Sequence, residues 1–143
     1  MSSVESEFTD QHYNSGDGMQ TTVWGPPTWF YLHVTSFNAK TSPTPEEKEQ
    51  YRNWLVGVAG TLPCGACRRN FPDNARQAGW QNYPNAPSDG QEDIFASRNA
   101  LSRFIYRLHN EVNTATGTPE PYPNFESVRE RYEKFRARCY KNK

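Results

Sequence analysis

The spacing of large apolar residues constrains the fold of this chain most, because it repeats every three or four positions in four separate stretches. The stripes are Trp29, Leu32, His33 and Phe37; Tyr51, Trp54, Leu55, Val58 and Leu62; Leu101, Phe104, Ile105, Leu108 and Val112; and Phe125, Val128, Tyr132 and Phe135. This is the period of an α-helix that buries one face. No stretch reads as a strand, so the sequence predicts an all-α bundle of four or five helices.

Proline-containing breaks separate the predicted helices. Pro26 and Pro27 predict a helix start immediately before Thr28, since proline is tolerated in a first helical turn. Thr44 and Glu47 form a capping-box signature at the start of the second helix, which is expected to end at the pair Cys64 and Cys67.

Three further helices are predicted along the rest of the chain. A short one covers Cys67 to Gly79 with an interruption around Pro72, and a longer one runs from about Ile94 to Asn113. Asn124 can cap a last helix.

Composition divides the chain into one domain and two tails. Residues 1–20 are polar and nearly free of aliphatic side chains, which predicts a flexible N-terminal tail. Residues 21–138 are expected to form one ordered domain, followed by a short tail at 139–143. A chain of 143 residues can bury a core of its own, and 14% aromatic residues offset a hydrophobic fraction of only 34%.

The charge balance limits the kinds of partner. Sixteen basic and sixteen acidic residues give no net field that would attract nucleic acid or an anionic membrane. No apolar run approaches the roughly 20 residues of a membrane span. The N-terminus lacks the pattern of a signal peptide, and Glu5, Glu7 and Asp10 argue against a mitochondrial presequence. We therefore expect protein or small-molecule partners.

Cys64 and Cys67 are the two cysteines that stand close together. Such a pair can close a small disulfide, contribute half of a zinc site, or exchange electrons with another dithiol. Zinc would need two further ligands, which Cys139 and the scattered histidines do not supply at the usual spacing. A helix start at Cys64, with Arg68 and Arg69 nearby, would favour a thiolate and hence redox chemistry. A purely structural disulfide stays open as an alternative.

A second polar group of residues lies in the fourth predicted helix, where His109, Asn110 and Asn113 lie within one turn of each other. Amide and imidazole groups are costly to bury unpaired, so this cluster indicates contact with a planar polar ligand. His33, alone among aromatic residues, is more simply interpreted as a packing histidine. The basic residues of the last helix are most simply interpreted as a solvated face, with phosphate contact as an alternative.

Three segments together resemble the Erv/ALR family of FAD-dependent sulfhydryl oxidases. They are residues 24–33 (WGPPTWFYLH), 62–67 (LPCGAC) and 108–113 (LHNEVN). The resemblance covers roughly residues 21–136 and implies a four-helix bundle with an additional short helix, a non-covalently held FAD, and usually a homodimer. It also implies that a protein dithiol is oxidised to a disulfide and that its electrons pass through FAD to oxygen, giving hydrogen peroxide.

The same resemblance implies the roles of the site residues. Cys67 is expected next to the flavin, and Cys64 is expected to be the outer cysteine that meets the incoming thiol. The implied FAD contacts are Gly25, Thr28, Trp29, His33, His109, Asn110, Val112, Asn113, Tyr132 and Arg136. No metal site is predicted.

The chain departs from the family pattern at two positions near the last helix. Many relatives have a long-range structural disulfide there, but its corresponding positions fall near Tyr106 and in the turn at residues 121–125, which contain no cysteine. Packing of the last helix is expected to replace it. A basic residue that often contacts phosphate is Thr118 here, with Arg131 and Arg136 as candidates to compensate.

A second, shuttle pair of cysteines is also missing from the sequence, because Cys139 stands alone. We therefore expect direct oxidation of substrate at Cys64, or reliance on a separate disulfide carrier protein. Small shuttle-less forms occur among large cytoplasmic DNA viruses, so the host cytoplasm or the virion is the expected location, with the mitochondrial intermembrane space as the alternative. The rival function is a cofactor-free redox carrier or binding module with a structural disulfide.

Overall fold

The computed structural model describes residues 7–138, and these residues contain helices and no strands. The helices that can be followed there are α1 (Asp10–Asn14), α2 (Thr21–Phe37), α3 (Pro45–Thr61), α4 (Gly65–Gln77), α5 (Arg98–Ala115) and α6 (Phe125–Glu133). The predicted all-α fold is confirmed. The predicted C-terminal tail, including Cys139, lies outside the described residues.

Helix α5 is the central element of the bundle. It packs against α2, α4 and α6, while α3 packs along α4. The fully buried side chains of α5 include Leu101, Phe104, Ile105 and Leu108, four of the five residues of the predicted stripe, and the fifth, Val112, is half-buried. The core that they enter also contains Leu32, Leu55, Phe71, Trp80, Ile94 and Phe95. The four longer helices form the bundle, and α6 is a shorter helix added to it, in agreement with the expected four-helix bundle with an additional short helix.

Two helix starts differ from the prediction. Helix α2 begins at Thr21 rather than near Thr28, so Pro26 and Pro27 lie inside the helix. Proline cannot donate the backbone hydrogen bond that a helix interior normally uses. The residues that would accept these bonds, four positions earlier, are exposed, so water can reach their carbonyls.

Helix α5 begins at Arg98 rather than near Ile94, because the side chain of Ser97 accepts a hydrogen bond from the backbone of Ala100 and caps the helix there. Ile94 and Phe95 are buried in the preceding turn, so their place in the apolar pattern reflects burial and not helix. Helix α4 continues through Pro72, and the predicted interruption there is wrong.

Tyr106 fastens the last helix at the place where many relatives are expected to have a disulfide. Its hydroxyl donates to the backbone carbonyl of Pro123 at 2.8 Å. Its ring meets Phe125 edge to face, with 5.6 Å between ring centroids. Phe37 packs in the same apolar cluster, together with Phe125, Tyr132 and Val128. Aromatic packing therefore holds α6, as expected, and the hydrogen bond of Tyr106 adds to it.

Part of the predicted N-terminal tail lies against the cysteine pair. The backbone amide of Gly65 donates to the carbonyl of Gly16, and the amide of Met19 donates to the carbonyl of Pro63, both at 2.8 Å. The flexibility of residues 1–20 and the domain boundary at residue 20 stay predictions. Among the described helices, none combines the length and hydropathy needed to cross a membrane.

We expect Leu108→Ala to lower the free energy of unfolding by about 2–5 kcal/mol, because it leaves a cavity at a fully buried position of α5. Urea denaturation provides the measurement. Val23→Ala is the control, since 68% of Val23 is exposed and its truncation should change stability by less than about 0.5 kcal/mol. A loss below about 1 kcal/mol in Leu108→Ala would contradict the packing described for α5.

Candidate active site

A disulfide joins Cys64 and Cys67 at the N-terminal end of α4, with 5.2 Å between their Cα atoms. Cys64 is the N-cap residue, with an extended backbone, and its Sγ accepts a hydrogen bond from the backbone amide of Cys67 at 3.2 Å. The predicted helix start at Cys64 is therefore confirmed. The amide of Cys67 and the positive end of the helix dipole therefore act on the sulfur of Cys64.

The charges around the disulfide are positive. Arg68 donates to the carbonyl of Leu62, which holds its guanidinium next to the segment that precedes the pair. The Arg69 guanidinium lies near Gly65, and the first turn of α4 contains no acidic residue. A thiolate released when the disulfide opens would be stabilised by these charges and by the helix dipole.

The two cysteines differ in accessibility. Cys64 is buried, with 9% of its surface exposed, whereas Cys67 is half-buried. The resemblance implied that Cys64 is the outer cysteine, and that assignment stays a prediction. Burial of Cys64 has a local cause, because Gly18 and its neighbours lie directly against its backbone.

A cavity of about 290 Å³ opens between α2, α5 and α6. It is lined by His33, Tyr106, His109, Asn110, Asn113, Pro123, Ser127, Val128, Arg131 and Tyr132. Five of the predicted ligand contacts are therefore brought together, from three different helices. Trp29 joins them indirectly, because its ring stacks on that of His109 with 4.0 Å between centroids and 6° between planes.

Two histidines form the polar centre of this cavity. The Nε2 atom of His33 lies 2.9 Å from Nδ1 of His109, and the ring of Tyr132 stacks on His33 at 5.0 Å. The other ring nitrogen of His33, Nδ1, is buried and has no hydrogen-bond partner within residues 7–138. Leaving such an atom unpaired is costly.

Burial keeps both histidines neutral at physiological pH. It is the main cause that lowers the pKa of His33 to about 3, with smaller contributions from His109 and Arg131. Burial also lowers the pKa of His109 to about 4. Because both rings are neutral, one donates and the other accepts in the bond between them, and Nδ1 of His33 is left free to pair with a ligand.

Besides Trp29, four predicted ligand contacts do not line this cavity. The hydroxyl of Thr28 donates to the Trp24 carbonyl within α2 at 2.7 Å. The guanidinium of Arg136 binds Glu133 and the carbonyl of Phe37, which ties the end of α6 to the end of α2. The remaining two, Gly25 and Val112, are half-buried. The contacts of all four residues with a ligand stay predictions.

Sequence reasoning missed Tyr106 and Ser127 as cavity residues. Tyr106 lies three positions before His109, so extending the polar face of α5 by one turn would have identified it. Ser127 had no such signal, because it lies in a different helix that only the fold brings to this cavity. Arg131, which was a candidate for phosphate contact, does line the cavity.

The fold and the site define an all-helical protein with a Cys-x-x-Cys disulfide at a helix N-terminus and a separate cleft lined by histidine and asparagine. Thioredoxin-like proteins differ, because their dithiol lies in a βαβ unit. Residues 26–133 match the sequence model of the Erv1/Alr family, and the chain belongs to that family. The resemblance stated from the three motifs is confirmed.

Individual relatives support the same assignment. The chain is 29% identical over 99 residues to a protein of Acanthamoeba polyphaga mimivirus named as probable FAD-linked sulfhydryl oxidase R368, and this match covers 69% of the chain and 62% of the viral protein. It is 27% identical over 95 residues to the mitochondrial FAD-linked sulfhydryl oxidase erv1 of Schizosaccharomyces pombe, covering 66% and 46% respectively. The chain therefore matches less than two thirds of the length of these relatives.

The solved structures show a shared fold. The crystal structure of the FAD binding domain of Erv1 from Saccharomyces cerevisiae superposes with a TM-score of 0.64 at 23% identity. The match covers 81% of this chain and 96% of that domain.

We expect the free energy of unfolding to fall as the pH is lowered from 6.5 toward 5. Unfolded histidine binds a proton near pH 6.5, whereas folded His33 and His109 bind one only near pH 3 and 4, so acid favours the unfolded chain. About one pH unit above 6.5 both states are neutral and these groups contribute no slope. Each histidine contributes up to about 1.4 kcal/mol per pH unit.

The measurement is urea denaturation between pH 5 and 7.5, on protein freed of bound small molecules. His33→Gln should reduce the slope of the free energy of unfolding against pH by the contribution of about one proton. A wild-type stability that does not change between pH 6.5 and 5 would contradict the burial of this histidine pair.

Proposed function

We propose that this protein is an FAD-linked thiol oxidase that converts protein dithiols to disulfides and reduces oxygen to hydrogen peroxide. The observation that carries the proposal is the Cys64–Cys67 disulfide at the positive end of α4, in a bundle that also contains a cleft lined by histidine, asparagine and arginine. The named relatives are FAD-linked sulfhydryl oxidases, which supports the assignment.

The residues of the cleft fit FAD. Nδ1 of His33 is a buried atom without a partner in the described part of the chain. The side chains of Asn110, Asn113 and Arg131 also make no hydrogen bond or ion pair with another described residue, and all three line the cavity. Amides suit the ribose and adenine, and the guanidinium suits a phosphate. The cavity is at the small end of ligand pockets, so it accommodates part of the cofactor.

The helix surface next to the cleft is also compatible with a flat ring. No atom lies within 4 Å of the position that a Cβ would occupy at Gly25, so a ligand can approach the backbone there. The indole of Trp29 and the imidazole of His109 are already stacked as parallel planes. When bound, FAD supplies an acceptor that takes two electrons from the reduced cysteine pair and passes them to oxygen.

The cysteines carry out thiol–disulfide exchange. A substrate thiolate attacks Sγ of Cys64, the Cys64–Cys67 bond breaks, and Cys67 leaves as a thiolate stabilised by the start of α4. A second substrate thiolate then attacks the substrate sulfur of the mixed disulfide, and Cys64 leaves in turn. The substrate departs as a disulfide, while the enzyme retains its two electrons as a Cys64–Cys67 dithiol.

Partners and location complete the proposal. We propose a protein dithiol or a separate disulfide carrier as substrate, because the chain has no second cysteine pair. A homodimer is supported by Phe30 and Tyr31, aromatic side chains that α2 leaves exposed. Relatives from mimivirus and an iridescent virus favour the cytoplasm of an infected cell or the virion, with the mitochondrial intermembrane space as the alternative.

We expect the purified protein to be yellow, to contain one FAD per chain and to consume oxygen when dithiothreitol is added. Cys64→Ala and Cys67→Ala should each reduce oxygen consumption to below about 1% of the wild-type rate, since neither can form the disulfide, and both should retain FAD. An oxygen electrode and the flavin absorption band provide the measurements. Cys139→Ala is the matched control and should retain activity.

The rival function predicts a different result. A redox carrier without cofactor would exchange disulfides with dithiothreitol but consume no oxygen, and a binding module with a structural disulfide would do neither. A colourless protein that takes up no FAD on refolding contradicts the oxidase proposal.

A further inference from the structure

The segment that precedes α2 crosses the main chain on both sides of Cys64. We call residues 16–19 the strap. The carbonyl of Gly16 accepts from the amide of Gly65, and the amide of Met19 donates to the carbonyl of Pro63, both at 2.8 Å. The order of the partners reverses along the strap, so it runs antiparallel to residues 63–65. Four strap residues face three residues of the cysteine segment, as in a bulged pair of strands.

Glycine at position 18 allows the strap to lie close to the main chain of Pro63 and Cys64. Its φ of +68° is in the region that favours glycine. A Cβ at this position would run into the carbonyl oxygen of Pro63 and would lie 2.7 Å from the carbonyl carbon and 3.1 Å from the Cα of Cys64. The strap therefore depends on the absence of a side chain at its point of contact with Cys64.

A second anchor comes from the start of α2. The indole Nε1 of Trp24 donates to the carbonyl of Met19 at 2.8 Å. Together with the two backbone bonds, this contact keeps the strap over Cys64, which has only 9% of its surface exposed. Cys67, one turn further along α4, is half-buried.

We propose that the Pro63 carbonyl and the Gly65 amide are the docking site for an extended segment of the protein substrate, and that the strap occupies this site in the resting protein. The inference rests on the proposed function, since it concerns the substrate of the same disulfide. Main-chain hydrogen bonds of this kind bind extended peptides largely independently of sequence. The strap contains no cysteine, so it blocks the site without reacting there.

The geometry also specifies the substrate. A segment that replaces the strap must bring its own sulfur to Cys64 while its main chain approaches Pro63 and Gly65. At the position that Gly18 holds, the space leaves no room for a Cβ. The site therefore selects unfolded or loop segments with glycine beside the reactive cysteine, and a small dithiol does not use these main-chain groups.

Gly18→Ala in the full chain tests the proposal, because alanine strains the left-handed backbone and collides with Pro63. We expect a bulky maleimide to modify Cys64 in the reduced protein about tenfold faster than in the wild type, as measured by mass spectrometry of the peptide that contains Cys64. Gly90→Ala is the matched control: Gly90 has φ +85° and open space around its Cβ position, so it introduces the backbone strain without the collision. Gly16→Ala controls for a change within the strap, since no atom lies within 4 Å of its Cβ position.

A second readout uses one round of exchange and requires neither FAD nor oxygen. A reduced, unstructured peptide with the sequence Gly-Cys-x-x-Cys-Gly, or dithiothreitol, is mixed with the oxidised protein, and reduction of the Cys64–Cys67 disulfide is followed after acid quenching. Gly18→Ala should raise the rate with this peptide about tenfold relative to the rate with dithiothreitol. Trp24→Phe, which removes one anchor, should raise this ratio of exchange rates less than Gly18→Ala does. It serves as the second variant if Gly18→Ala does not fold.

The outcomes separate this inference from the proposed function. Unchanged modification of Cys64 in both variants overturns the strap, whatever the oxidase activity. Faster modification with an unchanged ratio of exchange rates overturns the docking site. The expected exchange behaviour in a protein that consumes no oxygen supports the docking site and contradicts the oxidase. No exchange with either dithiol overturns both.

Discussion

Burial of one face of α5 is the constraint on which the site depends. Leu101, Phe104, Ile105 and Leu108 fill the core and thereby fix the rotation of the helix. Because side chains three or four positions apart share a face, this rotation turns the adjoining face of the helix, with Tyr106, Asn110 and Asn113, toward the cavity, and His109 lies at the border of the two faces. The same helix therefore supplies both the packing energy of the bundle and the polar lining of the cleft. A change in its core residues would move the cleft residues with them.

The histidine pair shows how burial and function are related here. Two neutral rings in contact can satisfy only one hydrogen bond between them, which leaves Nδ1 of His33 without a partner in the described part of the chain. Such an arrangement is costly for stability alone. It is explained if a ligand supplies the missing partner, because bound ligand stabilises the folded state by mass action. The interpretation of His33 as a mere packing residue accounts for its burial but not for this atom.

The apolar helix faces could be predicted from sequence because burial itself imposes their spacing, and the helix start at Cys64 followed from the residue types around it. The start of α2 could not, because Pro26 and Pro27 are typical of a first turn and only exposure of the preceding carbonyls allows them inside a helix. The contact of Arg136 with Phe37 was equally invisible, since it joins residues far apart in the chain. Sequence motifs identified the cleft residues of α2 and α5. Ser127 could not be identified from the sequence, because only the placement of α6 brings it to the cleft.

The position of the strap was missed for a different physical reason. Its bonds to Pro63 and Gly65 use backbone atoms, and the sequence pattern that predicts flexibility, rich in glycine and polar residues, carries no signal for them. Glycine is required on both sides of the contact. A Cβ at Gly65 would lie 2.8 Å from the carbonyl oxygen of Gly16, just as a Cβ at Gly18 would collide with Pro63. The glycine after Cys64 is thus explained by close approach of another main chain rather than by the redox chemistry of the pair, and any segment that replaces the strap meets the same requirement.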